Sequence, residues 1–196
     1  MTAPTGHPLP NQRRGPARAV FLVGFMGSGK STVGAALARR LGWEFIDLDR
    51  EMEARAGCSI AEIFRSQGEP HFRELEHLAL RELFRKPERR ETVVALGGGA
   101  WAKPENAELI RSGKWPTIFL DAPAEVLWER CLPEAATRPL LADPSSFRQL
   151  YEQRRPTYLQ DTERFDTSGK TASAVANQIA TWLEQRVFSE TGGREK

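Results

Sequence analysis

The chain has 196 residues, a length that supports one globular domain. Hydrophobic residues make up 40% and charged residues 28%, an ordinary balance that disfavours collagen-like and strongly disordered classes, and apolar runs such as Ala19-Val20-Phe21-Leu22-Val23 fall far below the roughly 20 residues of a membrane span. The formal net charge is +2, with Arg13, Arg14 and Arg18 in an N-terminal stretch that holds no acid, so the remainder is near neutral and no nucleic-acid-binding face is expected.

Residues 1–18 hold four prolines, two glycines and, after Met1, a single large apolar residue, Leu9, and read as a disordered tail. The stretch lacks the apolar centre of a secretory signal, which makes a cytoplasmic location the expectation. From Ala19 onward, short apolar strands alternate with longer helical stretches, the pattern of a parallel sheet covered by helices. Strands are expected at 19–23, 43–46, 92–96 and 117–120. Val33, Leu37 and Leu41 recur at four-residue spacing in a helix over 31–41, which Gly42 closes. Phe72, Leu75, Ala79 and Leu83 repeat the pattern over 72–84, residues 126–131 continue a helix after Pro123, and Val175, Ile179, Trp182 and Leu183 form an apolar stripe near the end. A single folded domain over 19–188 follows, with 189–196 as a second disordered tail. Cys58 and Cys131 lack the spacing of a metal or redox pair and read as ordinary thiols.

Gly24-Phe25-Met26-Gly27-Ser28-Gly29-Lys30-Ser31 satisfies G-x-x-x-x-G-K-[ST] at every defined position and lies between a strand and a helix. Its glycines let backbone N–H groups converge on phosphate oxygens at a helix N-terminus, Lys30 reaches the β- and γ-phosphates, and the Ser31 hydroxyl ligates Mg²⁺. A nucleoside triphosphate is therefore expected. The sequence carries no N-K-x-D for guanine and no L-S-G-G-Q of transporter ATPases.

What remains points to an acceptor. In Asp47-Leu48-Asp49, strand alternation aims both carboxylates the same way, one for metal and one for a hydroxyl proton; the alternative is a solvated strand end with Asp49 capping the next helix. In Gly68-Glu69-Pro70-His71-Phe72-Arg73-Glu74-Leu75-Glu76, Arg73 and Glu76 share a helix face, where the Arg either forks onto a carboxylate or forms an exposed ion pair. Gly97-Gly98-Gly99 follows a strand and permits close approach of backbone to a ligand. Arg138 opens a Pro-containing stretch suited to closing over nucleotide, and Arg154 precedes Arg155-Pro156, where the helix should stop; Arg154 is either an anion-binding residue or a helix-terminal charge.

Together these motifs resemble shikimate kinase, from about Val20 to about Leu183: the P-loop, D-L-D, G-E-P-H-F-R-E-L-E, G-G-G, R-P-L-L and R-R-P-T-Y at 154–158. The resemblance implies an α/β, three-layer P-loop kinase fold with a five-stranded parallel sheet and a mobile lid at about 133–146. It implies transfer of the γ-phosphoryl group of ATP to the 3-hydroxyl of shikimate in aromatic amino-acid biosynthesis, with Mg²⁺, by a monomer without nucleic-acid or membrane partners. By matching position, Asp49, Lys30 and Arg138 would be catalytic; Asp49, Arg73, Glu76, Gly97, Gly98, Gly99 and Arg154 would hold shikimate. Gly27, Ser28, Gly29, Lys30, Ser31, Thr32, Arg130, Arg138 and Lys170 would hold ATP, with Cys131 as the alternative to Arg130 by spacing. Ser31 would meet the metal directly and Asp47 through water. His71 and His77 match no expected role. Two rivals are a kinase for another polyol acid, such as gluconate or an aminated analogue, and a catalytically silent ATP-binding regulator, which would have lost a Lys or Asp that is present here.

Overall fold

A computed structural model describes residues 19–85, 91–133 and 143–191. The 1–18 stretch, residues 192–196 and most of the expected lid, Arg138 included, lie outside the described residues. The elements run β1 (Ala19–Val23), α1 (Lys30–Leu41), β2 (Glu44–Asp47), α2 (Leu48–Ala56), α3 (Ile60–Arg85), β3 (Thr92–Ala95), a 3₁₀ turn (Ala100–Ala102), α4 (Pro104–Ser112), β4 (Thr117–Asp121), α5 (Ala124–Cys131), α6 (Pro144–Tyr158), β5 (Glu163–Asp166) and α7 (Ala172–Thr191).

The five strands form one sheet in the order β2-β3-β1-β4-β5, and every paired neighbour is parallel. β1 is central and buried on both faces, which is why its sequence is continuously apolar rather than alternating. Val20 and Leu22 face one core with Leu37 and Ala38 of α1 and Ile179 and Leu183 of α7. Phe21 and Val23 face the other, with Leu80 and Leu83 of α3, Ile110 of α4 and Phe147 and Tyr158 of α6. The parallel sheet covered by helices that the alternating pattern predicts is therefore present, in the three layers that the resemblance implies. β1 lies between β3 and β4, so the loops leaving β1 and its neighbours part at the carboxyl edge and open the crevice where ligands bind in open α/β sheets.

Several local expectations are corrected. Asp47 ends β2, but Asp49 lies in the first turn of α2, so strand alternation does not relate the two carboxylates. The helix cap is Asp47, whose side chain accepts from the Arg50 N–H, and not Asp49. Residues 144–146, expected within the lid, form the first turn of α6, with Asp143 accepting from the Ser146 N–H and Pro144 at the position where its missing donor costs nothing. Arg155-Pro156 does not end α6, which runs to Tyr158 with the proline inside it. α7 reaches Thr191, past residue 188. α3 is broken at Gly68, whose φ of 80° and ψ of 170° are not helical. Among the described residues no helix is long and apolar enough to cross a membrane.

Candidate active site

The phosphate-binding end of the site grows from the β1–α1 junction. Gly27 has φ 76°, and a Cβ there would stand 2.6 Å from the Leu127 carbonyl oxygen and 2.8 Å from the Cys131 sulfur, so both conformation and space demand glycine. Gly29, at φ 90°, precedes the first residue of α1 and turns the chain so that the N-terminal amides of that helix face the loop. Lys30 Nζ donates to the Gly24 and Phe25 carbonyls at 2.9 and 3.0 Å, folded across the loop it is expected to serve. Ser31 Oγ donates to Asp47 Oδ2 at 2.5 Å, which joins the two residues expected near a metal. Ser28 Oγ is buried without a hydrogen-bond partner among the described residues, and Thr32 Oγ1 donates back to the Gly29 carbonyl at 3.0 Å.

The acceptor end is built from α2, α3, the triple glycine and α6. Arg73 spans Glu69 and Glu76, each at 3.0 Å, and Glu76 is wholly buried. The Arg73–Glu76 pair is therefore not the exposed one that spacing allowed, whereas the Glu69 end of the Arg73 contacts is 61% exposed. The glycines are shaped by these side chains: a Cβ on Gly97 would lie 2.5 Å from Asp49 Oδ1 and 2.9 Å from Glu76 Oε1, and one on Gly99 would lie 2.5 Å from Arg73 Nη2. The Gly98 carbonyl accepts from the Tyr158 hydroxyl. Arg73, Gly99 and Arg154 line one cavity of about 940 Å³, together with Gln67 and Lys103.

The electrostatics single out Asp49. Its Oδ1 is buried and has no hydrogen-bond partner among the described residues. Burial pushes its carboxyl above the ordinary range, Asp47 and Glu53 add to that, and Lys30 and Arg73 pull against it. Burial raises Glu76 as well, opposed by its bond to Arg73. Tyr158 is pushed up to about 12 by burial and stays a protonated donor. A raised carboxylate in a crevice beside a phosphate loop has the properties of a general base.

At the far side, Arg130 donates to the Thr167 carbonyl at 2.7 Å, to Thr167 Oγ1 at 2.9 Å and to the Gly27 carbonyl at 3.4 Å, linking α5 to the P-loop and to the turn after β5. Cys131, the alternative by spacing, is buried beneath Gly27. Lys170 Nζ donates to the Asp166 carbonyl at 2.8 Å on that same turn. The site thus gathers Asp47, Asp49, Lys30, Ser31, Arg73, Glu76, Gly97–Gly99 and Arg154 at one sheet edge. Tyr158 is a site residue that sequence reasoning quoted without assigning; an aromatic two positions after a helix proline was its only signal.

This sheet order, with a phosphate loop opposite a buried carboxylate and two arginines, defines a P-loop kinase of small molecules. The shikimate kinase family model matches residues 26–184. A shikimate kinase of Geobacter sulfurreducens is 44% identical over 171 residues, covering 86% of this chain and 92% of that protein. One of Persephonella marina is 41% identical over 163 residues, covering 83% and 96%. The structure of shikimate kinase from Acinetobacter baumannii in complex with shikimate superposes with a TM-score of 0.79 at 34% identity, over 86% of this chain and 94% of that one. The chain belongs to the shikimate kinase family.

Proposed function

We propose that the chain transfers the γ-phosphoryl group of ATP to the 3-hydroxyl of shikimate. The observation that carries the reading is Asp49 Oδ1, a buried acceptor without a partner among the described residues, flanked by the charges of Lys30 and Arg73. Its raised basicity suits removal of a hydroxyl proton as the oxygen attacks phosphorus. In that step the new O–P bond forms, the bond from the γ-phosphorus to the bridging oxygen of ADP breaks, and the hydroxyl proton passes to Asp49.

Arg73 and Arg154 converge on one cavity and fit the substrate carboxylate, which a guanidinium grips with two parallel donors. Glu76 holds Arg73 in direction, and Gly97 and Gly99 leave the room that this packing requires. Lys30 exchanges the Gly24 and Phe25 carbonyls for phosphate oxygens when nucleotide binds. The Ser31 hydroxyl and the Asp47 carboxylate, joined at the loop mouth, are hard oxygen donors that fit Mg²⁺, the carboxylate acting through water. The bound ion supplies neutralisation of charge on the β- and γ-phosphate oxygens. Arg130, held against Gly27 and Thr167, and Lys170 border the nucleoside end, while Arg138 would reach the phosphates from the 133–146 stretch.

The test is the product formed from ATP, Mg²⁺ and shikimate. Proton and phosphorus NMR should show one phosphate ester at the 3-hydroxyl with matching ADP; ADP without an ester, or an ester at another hydroxyl, overturns the assignment.

A further inference from the structure

Arg154 and Arg155 are neighbours of the same chemistry, yet the structure gives them different surroundings. Successive helix residues point about 100° apart. Arg154 lines the acceptor cavity with Arg73 and Gly99. Arg155 turns instead to Asp121, donating from Nε and Nη2 to Oδ2 at 3.2 and 2.8 Å.

Asp121 is a firm anchor. It closes β4 and is 1% exposed. Its Oδ1 also accepts from the Tyr151 hydroxyl at 3.1 Å and its Oδ2 from Arg164 Nε at 2.8 Å, while its backbone carbonyl accepts from the Thr167 N–H at 2.8 Å. Tyr151 and Arg155 are four apart, so two consecutive turns of α6 present the same face to this one carboxylate. The second of those turns needs it, because Pro156 lies inside the helix and has no N–H to give the carbonyl four residues back. The weakened turn is the one that carries Arg154.

We propose that Arg155 is a positioning residue: by fastening the proline-weakened last turn of α6 to Asp121, it sets the direction in which Arg154 enters the acceptor cavity. The inference rests on the carboxylate-binding role given to Arg154 above. It also makes Arg164 the proper control. Arg164 neutralises the same oxygen from the edge strand β5, with its side chain 53% exposed, and carries no acceptor residue beside it.

The experiment is steady-state kinetics of Arg155→Met, Arg164→Met, Arg154→Met, the Arg154→Met/Arg155→Met double variant and Arg155→Lys, with melting temperatures for each. Arg155→Met should raise KM for shikimate about tenfold, with kcat and KM for ATP within about twofold of the parent. Arg164→Met should leave KM for shikimate unchanged, and Arg155→Lys, with one donor in place of a fork, should fall between parent and Arg155→Met. The double variant should be no worse than Arg154→Met alone, since Arg155 acts through Arg154. Equal KM effects from Arg155→Met and Arg164→Met would mean that only the charge balance of Asp121 matters, and multiplying effects of Arg154→Met and Arg155→Met would mean independent roles; either overturns the proposal. Should Arg155→Met fail to fold, a parental KM in Arg155→Lys overturns it in the same way. A parent enzyme that does not phosphorylate shikimate would instead refute the functional reading on which this rests.

Discussion

Gly99→Ala probes the acceptor pocket without breaking the fold. Gly99 sits at φ −109° and ψ −10°, a conformation alanine adopts readily, so the backbone gives no objection. The objection is steric: the new methyl carbon would be 2.5 Å from Arg73 Nη2 and 2.7 Å from Nη1, where ordinary contact begins at 3.4 Å. The guanidinium must retreat by about 0.9 Å. Arg73 lies 3.0 Å from Glu76, and stretching that pair to about 3.9 Å at an effective dielectric of about 20 lowers their attraction from about 5.5 to about 4.3 kcal/mol. The fold therefore loses about 1 kcal/mol, or roughly 2–4 °C in Tm for a domain of this size. The function loses more, because a displacement of about 1 Å in a substrate clamp costs up to about 100-fold. Initial rates of ADP release should show KM for shikimate raised roughly 10- to 100-fold with KM for ATP unchanged. Parental KM for shikimate, or a fall of more than about 10 °C in Tm, would refute the placement of Arg73 against Gly99.

Four further outcomes follow from the structure. The acid limb of the kcat–pH profile should lie above the ordinary carboxylate range, because activity is lost as pH falls through the raised pKa of Asp49; Asp49→Asn should lower kcat about 100-fold or more and remove that limb. The stability sign is opposite: a raised carboxyl pKa contributes stability below its unfolded value that is lost as pH rises through the folded one, so at neutral pH Asp49→Asn should melt no lower than the parent. Gly34→Ala should destabilise by about 1–3 kcal/mol with kinetic constants unchanged, since its methyl would meet Phe45 at 2.4 Å and Leu22 at 3.1 Å between α1 and the sheet; a raised Tm would contradict this packing. Tyr158→Phe leaves the Gly98 carbonyl without its buried donor and should cost about 1 kcal/mol in thermal or denaturant unfolding.

The phosphate loop was fully legible because its chemistry is local: strand, glycines, Lys30, Ser31 and helix are contiguous, and the backbone they dictate is the one observed. The central strands were legible for a similar reason, since strands buried on both faces read as unbroken apolar runs. β5 has no such signal. Its sequence, Glu163-Arg164-Phe165-Asp166, belongs to an edge strand with an exposed start, and only the family resemblance implied a fifth strand. Strand alternation across Asp47-Leu48-Asp49 does not hold, because β2 ends at Asp47 and α2 begins at Leu48. Pro156 was overweighted: Phe147, Tyr151 and Tyr158 bury the inner face of α6, and tertiary packing carries the helix through the proline. The different surroundings of Arg154 and Arg155 could not be read from sequence, since Arg155 turns to Asp121, more than thirty residues away along the chain. The same holds for His77, whose Nδ1 lies 2.7 Å from the buried Asn106 side chain.

The most direct test of the central claim is the rate of ADP formation from ATP and Mg²⁺ with shikimate, quinate, gluconate or no acceptor added. The acceptor site proposed for Asp49, Arg73 and Arg154 predicts turnover that depends on shikimate, with the other acceptors at the level of buffer alone. ADP formed equally with gluconate, or with no acceptor at all, would contradict it.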